Sequence, residues 1–464
     1  MNLLQQIISD DILNKIKTEF PNEVYLVGGA VRDFILGKKN FDRDLLVCDE
    51  DAKSFSLKLA DYFGATLVTL DEQNKIYRLV MPDKLNYLDI TNPLENSLLT
   101  DLQRRDLTIN AIAVNINTGE VVDPHQGVSD LQNKIINYIH EKNFTDDPLR
   151  LLRVFRFQAN LGFSLPQELC DVVKKYKHLI SKPAVERKIY EIVKLFSGEF
   201  AHLALLKMDE CGLLELIFPV INELKQVPPN SHHHLDLFNH SIETVRQVTA
   251  IYNSLSEQLK EHLDTVDFGG FSRIAHLRLA GFLHDIGKFS TWSIIDGRHR
   301  FIKHDDVGSK LAHDLLKSMN FSNKQTEYIS LMIKYHIYPS NVMSADDVNE
   351  KIMMRYVRRM DRNSIDNIVL AMADRLSARG PEITDEIVNK NISSLTRLLN
   401  FYLDKKETLK PLPKLLSGNE IMSILNITPS PVLGNIVNAL YDAQLNGDVT
   451  CRDEAIIFIK NLKI

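Results

Sequence analysis

Residues 25–47, YLVGGAVRDFILGKKNFDRDLLV, constrain this chain more than any other stretch. An apolar, β-branched run ends in Gly28-Gly29. A short helical piece carrying Arg32 and Asp33 follows, and the chain returns in a second apolar run that opens with Asp42 and Asp44. Strand residues two apart point to one face, so the two carboxylates stand side by side. Like charges so placed repel, and the arrangement is costly unless a cation sits between them. Glycine at a strand-to-helix turn lets the backbone approach a phosphate, and the helix start offers it free N–H groups. A phosphate cradle beside a metal-binding acid pair predicts nucleotidyl transfer. There, divalent metals activate the attacking hydroxyl and neutralise the leaving pyrophosphate. Magnesium is the expected metal, since it takes one or two carboxylates and completes its shell with substrate oxygens.

At 464 residues the chain is too long for one ordinary core, and two to four domains are expected. From Val24 to about Val122, short β-branched runs (VYLVGG, DLLVC, ATLVTL, IYRLVM, LNYLDIT) alternate with helical pieces such as AKSFSLKLADYF, which predicts mixed α/β. Residues 1–20, and nearly everything from Asp130 on, read as helix. Breaks at Val227-Pro228-Pro229-Asn230 and near Lys405–Leu415 mark junctions. The expected division is a head over 1–140, a helical neck over 141–227, a third domain over 228–400 and a helical tail over 401–464. A net charge of −6 excludes a protein coated in basic surface, though not a local nucleic-acid stripe. Cys48, Cys170, Cys211 and Cys451 are scattered without a CxxC pair, which suits reduced thiols. The N-terminus lacks a signal-peptide pattern and no run approaches a membrane span, so a cytoplasmic protein without membrane contact is expected.

Further blocks follow in order: Arg104-Arg105-Asp106-Leu107-Thr108-Ile109-Asn110-Ala111, then Asp123-Pro124 with Gly127-Val128-Ser129-Asp130-Leu131, then Asp146-Asp147-Pro148-Leu149-Arg150-Leu151-Leu152-Arg153-Val154-Phe155-Arg156-Phe157, and Glu186-Arg187-Lys188-Ile189-Tyr190-Glu191. Over about residues 24–225 their order and spacing resemble the bacterial-type (class II) tRNA nucleotidyltransferase and poly(A) polymerase family. The resemblance implies an α/β nucleotidyltransferase head, with a polymerase-β-like mixed sheet and helices, followed by all-α neck, HD and tail domains. It implies that Asp42 and Asp44 hold the metals, and that Gly28, Gly29, Arg32 and Arg105 meet the triphosphate or ribose. In the family an acid-x-x-Arg pair on the neck helix acts as a template for the incoming base, which assigns Asp147, Arg150 and Arg153 to nucleotide binding. The chemistry agrees: a carboxylate accepts from the exocyclic amino group of C or A, and an arginine donates to ring acceptors. Glu186, Arg187 and Glu191 are expected to buttress that helix. Asp89, on LNYLDIT, is a candidate third carboxylate.

Only residues 90–103 separate that strand from the Arg104-Arg105-Asp106 block, where most of the family carries a longer, flexible segment that re-aims the template from C to A. The resemblance therefore implies addition of CC from CTP to the tRNA 3′ end, with full CCA addition, using ATP as well, as the wider alternative. Poly(A) polymerase, which shares every head motif, is a second alternative.

Downstream lie Phe238-Asn239-His240-Ser241, Gly281-Phe282-Leu283-His284-Asp285-Ile286-Gly287-Lys288, then His304, His336 and Asp374. An adjacent His-Asp on an apolar helix, with His and Asp far off in sequence, resembles the HD-domain phosphohydrolases. That likeness implies one metal on His240, His284, Asp285 and Asp374, and a second on His304 and His336 with Asp285 bridging. Imidazole with carboxylate suits Mn, Ni, Fe or Zn, or Mg with less nitrogen. A third alternative follows, an HD phosphohydrolase whose head only binds nucleotide or RNA. His232-His233-His234 falls outside the pattern and reads as a loop. Lys405, Lys406, Lys410 and Lys414 form a modest basic cluster before the tail.

Overall fold

The computed structural model describes residues 9–38, 41–231, 233–345, 348–407 and 412–462. Residues 1–8 of the expected N-terminal helix, together with His232 and Lys410, lie outside them. The chain divides into two compact units, Met1–Ile221 and Asn222–Ile464. Among the described residues no helix is long and apolar enough to cross a membrane.

In the first unit β1 (Val24–Val27), β2 (Asp42–Val47), β3 (Thr66–Asp71), β4 (Ile76–Val80), β5 (Tyr87–Thr91), β6 (Ala113–Asn115) and β7 (Val121–Val122) form one sheet in the order β3-β4-β5-β2-β1-β6-β7. β2 and β5 run parallel, while every other neighbouring pair is antiparallel. β1 is apolar and buried throughout because it lies centrally, with both faces covered. β3 closes an edge and is largely exposed. On β2 alternation separates the charges by face. Arg43 is buried and pairs at 2.6 Å with Asp10, which also caps the helix Asp11–Glu19. Asp42 and Asp44 occupy the opposite face.

Residues 92–103 are short and pinned. The Asn92 side chain accepts from Ala52 N and donates to the Val47 and Glu50 carbonyls. The helix Leu98–Gln103, capped by Ser97, sinks Leu102 into a cluster with Tyr25, Val27 and Leu46. Beyond the sheet, the helix Arg150–Leu161 packs on Val185–Ser197 and Ala201–Glu210. It buries Leu151, Leu152, Val154 and Phe155 and leaves its arginines on the other side.

In the second unit the helix Arg273–Leu283 is buried along its whole length, and Leu237–Ser254, Asn323–Lys334 and Ser364–Ser377 pack against it. Its buried Arg273 is held by Asp366 at 3.0 Å and Asp267 at 2.6 Å. The helices are interrupted by two short antiparallel ladders, Val266–Phe268 with Phe271–Ser272 and Trp292–Ile295 with Arg298–Phe301. The second turns at Asp296-Gly297, both at positive φ as a tight two-residue hairpin requires. The tail helices Gly418–Leu425, Pro431–Asn446 and Arg452–Asn461 share a small apolar core around Ile421, Ile436, Leu440 and Ile459.

Candidate functional site

A cavity of about 710 Å³ opens in the first unit where β1 turns into the helix Gly29–Ile35. It brings together Gly28, Gly29, Arg32, Asp42, Asp44, Arg105, Asp147, Arg150 and Arg153, the residues expected to hold metal or nucleotide, with Arg187, whereas Asp89, Glu186 and Glu191 do not line it. Gly28 sits at φ +71, and a Cβ there would come within 2.8 Å of the Arg105 guanidinium and 3.0 Å of an Asp44 oxygen. That backbone conformation strains any residue but glycine, and a side chain there would push the Arg105 guanidinium from its place.

The parallel register of β2 and β5 sets Asp44 beside Asp89. Burial pushes the Asp44 carboxyl up to about 6, with Asp42 and Asp89 adding to it and Arg105 opposing. Asp42 is raised too, first by burial and then by Asp89. Charges that raise one another in this way fit a divalent cation between them. Asp89 itself is engaged: Arg78 grips both its oxygens at 2.7 Å and reaches Asp42 at 3.5 Å.

A continuous set of polar contacts joins the Gly29 and Arg32 end of the cavity to the neck helix. Arg32 pairs with Asp33 at 2.9 Å and donates to the Asn110 side-chain oxygen at 2.8 Å. Asn110 in turn donates to Asp106, which accepts from Arg153 at 2.6 Å. Burial raises Asp106, but Arg153, Asn110 and the Leu107 N–H outweigh it and hold the carboxyl at about 2. Arg156 pairs with the buried Glu191 at 3.2 Å, and Arg153 comes within 3.8 Å of it. Asn143 ties the two parts a second time. Its amide donates to the Gln103 and Arg105 carbonyls, while its own carbonyl accepts from Arg150. Asp147 does not share the helix of Arg150 and Arg153 as expected: it sits in extended backbone at φ −137, between Lys142–Asp146 and Arg150–Leu161, where Arg187 of the helix Val185–Ser197 holds it at 2.9 Å. The sequence reading missed Asn110, Asn143 and the Asp106–Arg153 pair as positioning elements. Motif order marked the Arg104-Arg105-Asp106 block, but nothing local names its partners.

The second unit gathers the remaining predicted residues around a cavity of about 260 Å³. His284 and Asp285 do not lie within a helix as expected. They occupy the turn after Arg273–Leu283, where Gly287 packs so closely that a Cβ would fall 2.2 Å from the His304 carbonyl. His240 Nε2 lies 3.2 Å from His284 Nε2, 3.3 Å from Asp285 and 3.2 Å from Asp374. His304 Nε2 lies 3.3 Å from His336 Nε2, and these two approach the other Asp285 oxygen at 3.5 and 3.6 Å. Nδ1 of His284, His304 and His336 each faces a backbone carbonyl, of Gly281, Phe301 and Ile333. A carbonyl only accepts, so Nδ1 carries a proton, and in the neutral ring Nε2 then presents a lone pair inward. Lone pairs converging on carboxylates require a cation. Burial lowers His284, but Asp285 and Asp374 outweigh it and raise the ring to about 10, so without a metal the cluster takes up a proton instead. The residues therefore fit a divalent centre.

One histidine read as loop belongs here. His233 lies with its ring 4.7 Å from His240, edge to face, and lines the cavity beside Lys288, His304, His336 and Asp374. Burial pushes it down to about 2, with Lys288 and His240 adding to the effect. Spacing gave no sign of it because it precedes the helix Leu237–Ser254 and belongs to no periodic face.

Three family profiles match the chain: the Poly A polymerase head domain over residues 24–137, the Probable RNA and SrmB-binding site of polymerase A over 162–225, and the HD domain over 237–379. The A-adding tRNA nucleotidyltransferase of Deinococcus radiodurans is 30% identical over 448 residues, 95% of this chain and 96% of that protein. The CC-adding tRNA nucleotidyltransferase of Thermus thermophilus is 30% identical over 450 residues, 95% of this chain and 93% of that one. The solved Thermotoga maritima CCA-adding enzyme, complexed with tRNA, shares the fold with a TM-score of 0.56 at 20% identity, covering 99% of this chain and 98% of that one.

Proposed function

The chain belongs to the bacterial-type tRNA nucleotidyltransferase and poly(A) polymerase family, and on that premise we propose that it adds CC from CTP to the 3′ end of tRNA. The observation that carries the choice of CC is the segment between β5 and Arg104: it is short, and Asn92 and Leu102 tie it down. A pinned segment has little freedom to re-aim the template from C to A. A second reading, addition of the terminal A alone, has one observation in its favour: the Deinococcus relative matches as fully as the Thermus one. The test supplies CTP and ATP with tRNAs ending at the discriminator base, at C and at CC. Growth of the first two by cytidylate, stopping at CC, is the expected result. A full CCA end sinks the proposal, and extension of tRNA-CC alone establishes the second reading.

Asp42 and Asp44 would hold magnesium, which when bound activates the 3′-hydroxyl and neutralises pyrophosphate. The chain's own residues do the rest. Gly28 and the start of the helix Gly29–Ile35 let backbone approach the triphosphate, and Arg32 and Arg105 supply positive charge to it. Asp147 accepts the cytosine amino group and Arg150 donates to its ring acceptors. Uracil has no amino group there and leaves Asp147 without its donor, at a cost of roughly 1–3 kcal/mol. Asp147→Ala is accordingly expected to relax CTP-over-UTP discrimination by roughly ten- to a hundredfold in kcat/KM. Arg187→Ala, which loses only the group that orients Asp147, is expected to relax it less. Equal discrimination in Asp147→Ala and wild type would remove the template assignment.

At the second centre we propose metal-dependent phosphoester hydrolysis. His240, His284, Asp285 and Asp374 would hold one metal, and His304, His336 and Asp285 a second. The nitrogen-rich set favours Mn, Ni, Fe or Zn.

A further inference from the structure

We propose that His233 is itself a metal ligand of the second centre, a further imidazole on the side shared by His240, Asp285 and Asp374. The inference rests on the reading of that centre as a metal site.

Three observations carry it. A ligand-capable atom of His233 lies within 4.8 Å of those of His240, Asp285 and Asp374, and the four are mutually that close. The ring is also locked as the other proposed ligands are. Its Nδ1 lies 3.3 Å from the Asn230 side-chain oxygen, and the His233 backbone N–H donates to the same atom at 3.1 Å. The backbone donor identifies that atom as the amide oxygen rather than the nitrogen, so Nδ1 carries a proton and the neutral ring keeps its lone pair on Nε2. His284, His304 and His336 have the same arrangement, with backbone carbonyls in place of Asn230. A ring hydrogen bond that fixes the tautomer is the usual support of a metal-bound histidine. Finally, the segment is fastened: Ser231 accepts from Glu382 N far along the chain, and within the segment Asn230 N donates to the His233 carbonyl. A solvated loop histidine has no need of these restraints.

The alternative role for a cavity-lining histidine is to donate to a substrate phosphate. The geometry favours the metal: the ring stands among His240, Asp285 and Asp374, groups that gather a cation rather than a phosphate.

The experiment uses the full chain, stripped of metal and titrated with Co²⁺ and separately with Mn²⁺. Binding is read by calorimetry and elemental analysis, and the Co²⁺ form by its visible absorption. His233→Ala is expected to weaken binding by about a hundredfold and Asn230→Ala by about tenfold, the range seen when ligand support is removed. The Co²⁺ bands of His233→Ala should shift as one nitrogen donor is lost. His233→Gln keeps most of the volume and should match His233→Ala in both readouts, while thermal unfolding of the metal-free variants shows that they fold. His234→Ala, an exposed neighbour, should bind as wild type does. Wild-type affinity and spectrum in His233→Ala overturn the proposal while leaving the metal centre standing. Absence of metal from the wild type overturns both, and the two failures are told apart by that measurement.

Discussion

Asp44→Asn is expected to lower CTP incorporation into tRNA by roughly a hundred- to a thousandfold, the loss typical of removing one preorganised charge-stabilising group. Asparagine keeps the shape of the side chain, so β2 keeps its register with β1 and β5. Only the charge goes, and with it the means of holding a cation beside Asp42. The same variant should be more stable than wild type when metal-free. The Asp44 carboxyl rises from 3.8 to about 6 on folding, burial being the chief cause. A raised carboxyl contributes stability that is fully present below its unfolded value and is lost as pH rises through the folded one. At pH 7–8 the ionised group therefore costs the metal-free fold roughly 1–3 kcal/mol, and asparagine removes that cost. The melting-temperature difference should vanish below about pH 4, and magnesium should raise the wild type's melting temperature more than the variant's. Wild-type magnesium affinity should weaken as pH falls through about 6, because a proton then occupies the place of the cation. An Asp44→Asn protein that incorporates CTP within tenfold of wild type would remove Asp44 from the reaction.

Both carboxylates were legible because their chemistry is local. An apolar strand, two glycines and a DxD on the returning strand need no distant information to be placed on one face. Periodicity likewise marked β1 to β5, whereas β6 and β7, of three and two residues, were too short to carry a period of two. What escaped was partnership. Asp106 and Arg153 are 47 positions apart, and Asn143 meets Gln103 and Arg105 across about 40. A sequence can name such residues as polar but cannot pair them. Asp89 shows the point most clearly. Its strand and its face were foreseeable, but Arg78 opposite it on β4 was not, and that arginine already occupies the carboxylate. His233 was hidden for the opposite reason. It was conspicuous in a run of three histidines, and only the tertiary position of Asn230 and His240 separates it from an ordinary loop. The Asp296-Gly297 hairpin carries its turn signal in the sequence, within a stretch whose surroundings otherwise read as helix.

Asp285→Asn is expected to empty the second centre, with bound transition metal falling at least tenfold by elemental analysis and phosphoester hydrolysis falling with it. The reason is that one carboxylate serves both histidine groups. One oxygen faces His240 at 3.3 Å and His284 at 3.1 Å, and the other faces His304 at 3.5 Å and His336 at 3.6 Å. His304→Ala touches only the second group and should leave about half the metal, so the two variants separate a bridged pair from two independent sites. A second loss accompanies the first. Lys288, buried, pairs with Asp285 at 2.6 Å, and its charge is left without that partner in the variant. Removing one member of a buried ion pair costs about 3–5 kcal/mol, so the metal-free variant should melt below the metal-free wild type. This is the reverse of Asp44→Asn, although each change removes one buried aspartate charge. At Asp44 the neighbouring acids and burial oppose the charge, whereas at Asp285 His284 and Lys288 sustain it and hold the carboxyl well below its usual range. CTP incorporation by Asp285→Asn should persist, because Asp42 and Asp44, the carboxylates proposed for nucleotidyl transfer, belong to the other unit. Retention of wild-type metal content in Asp285→Asn would show that the histidines hold their ions without the bridge, and the two-metal assignment would fall.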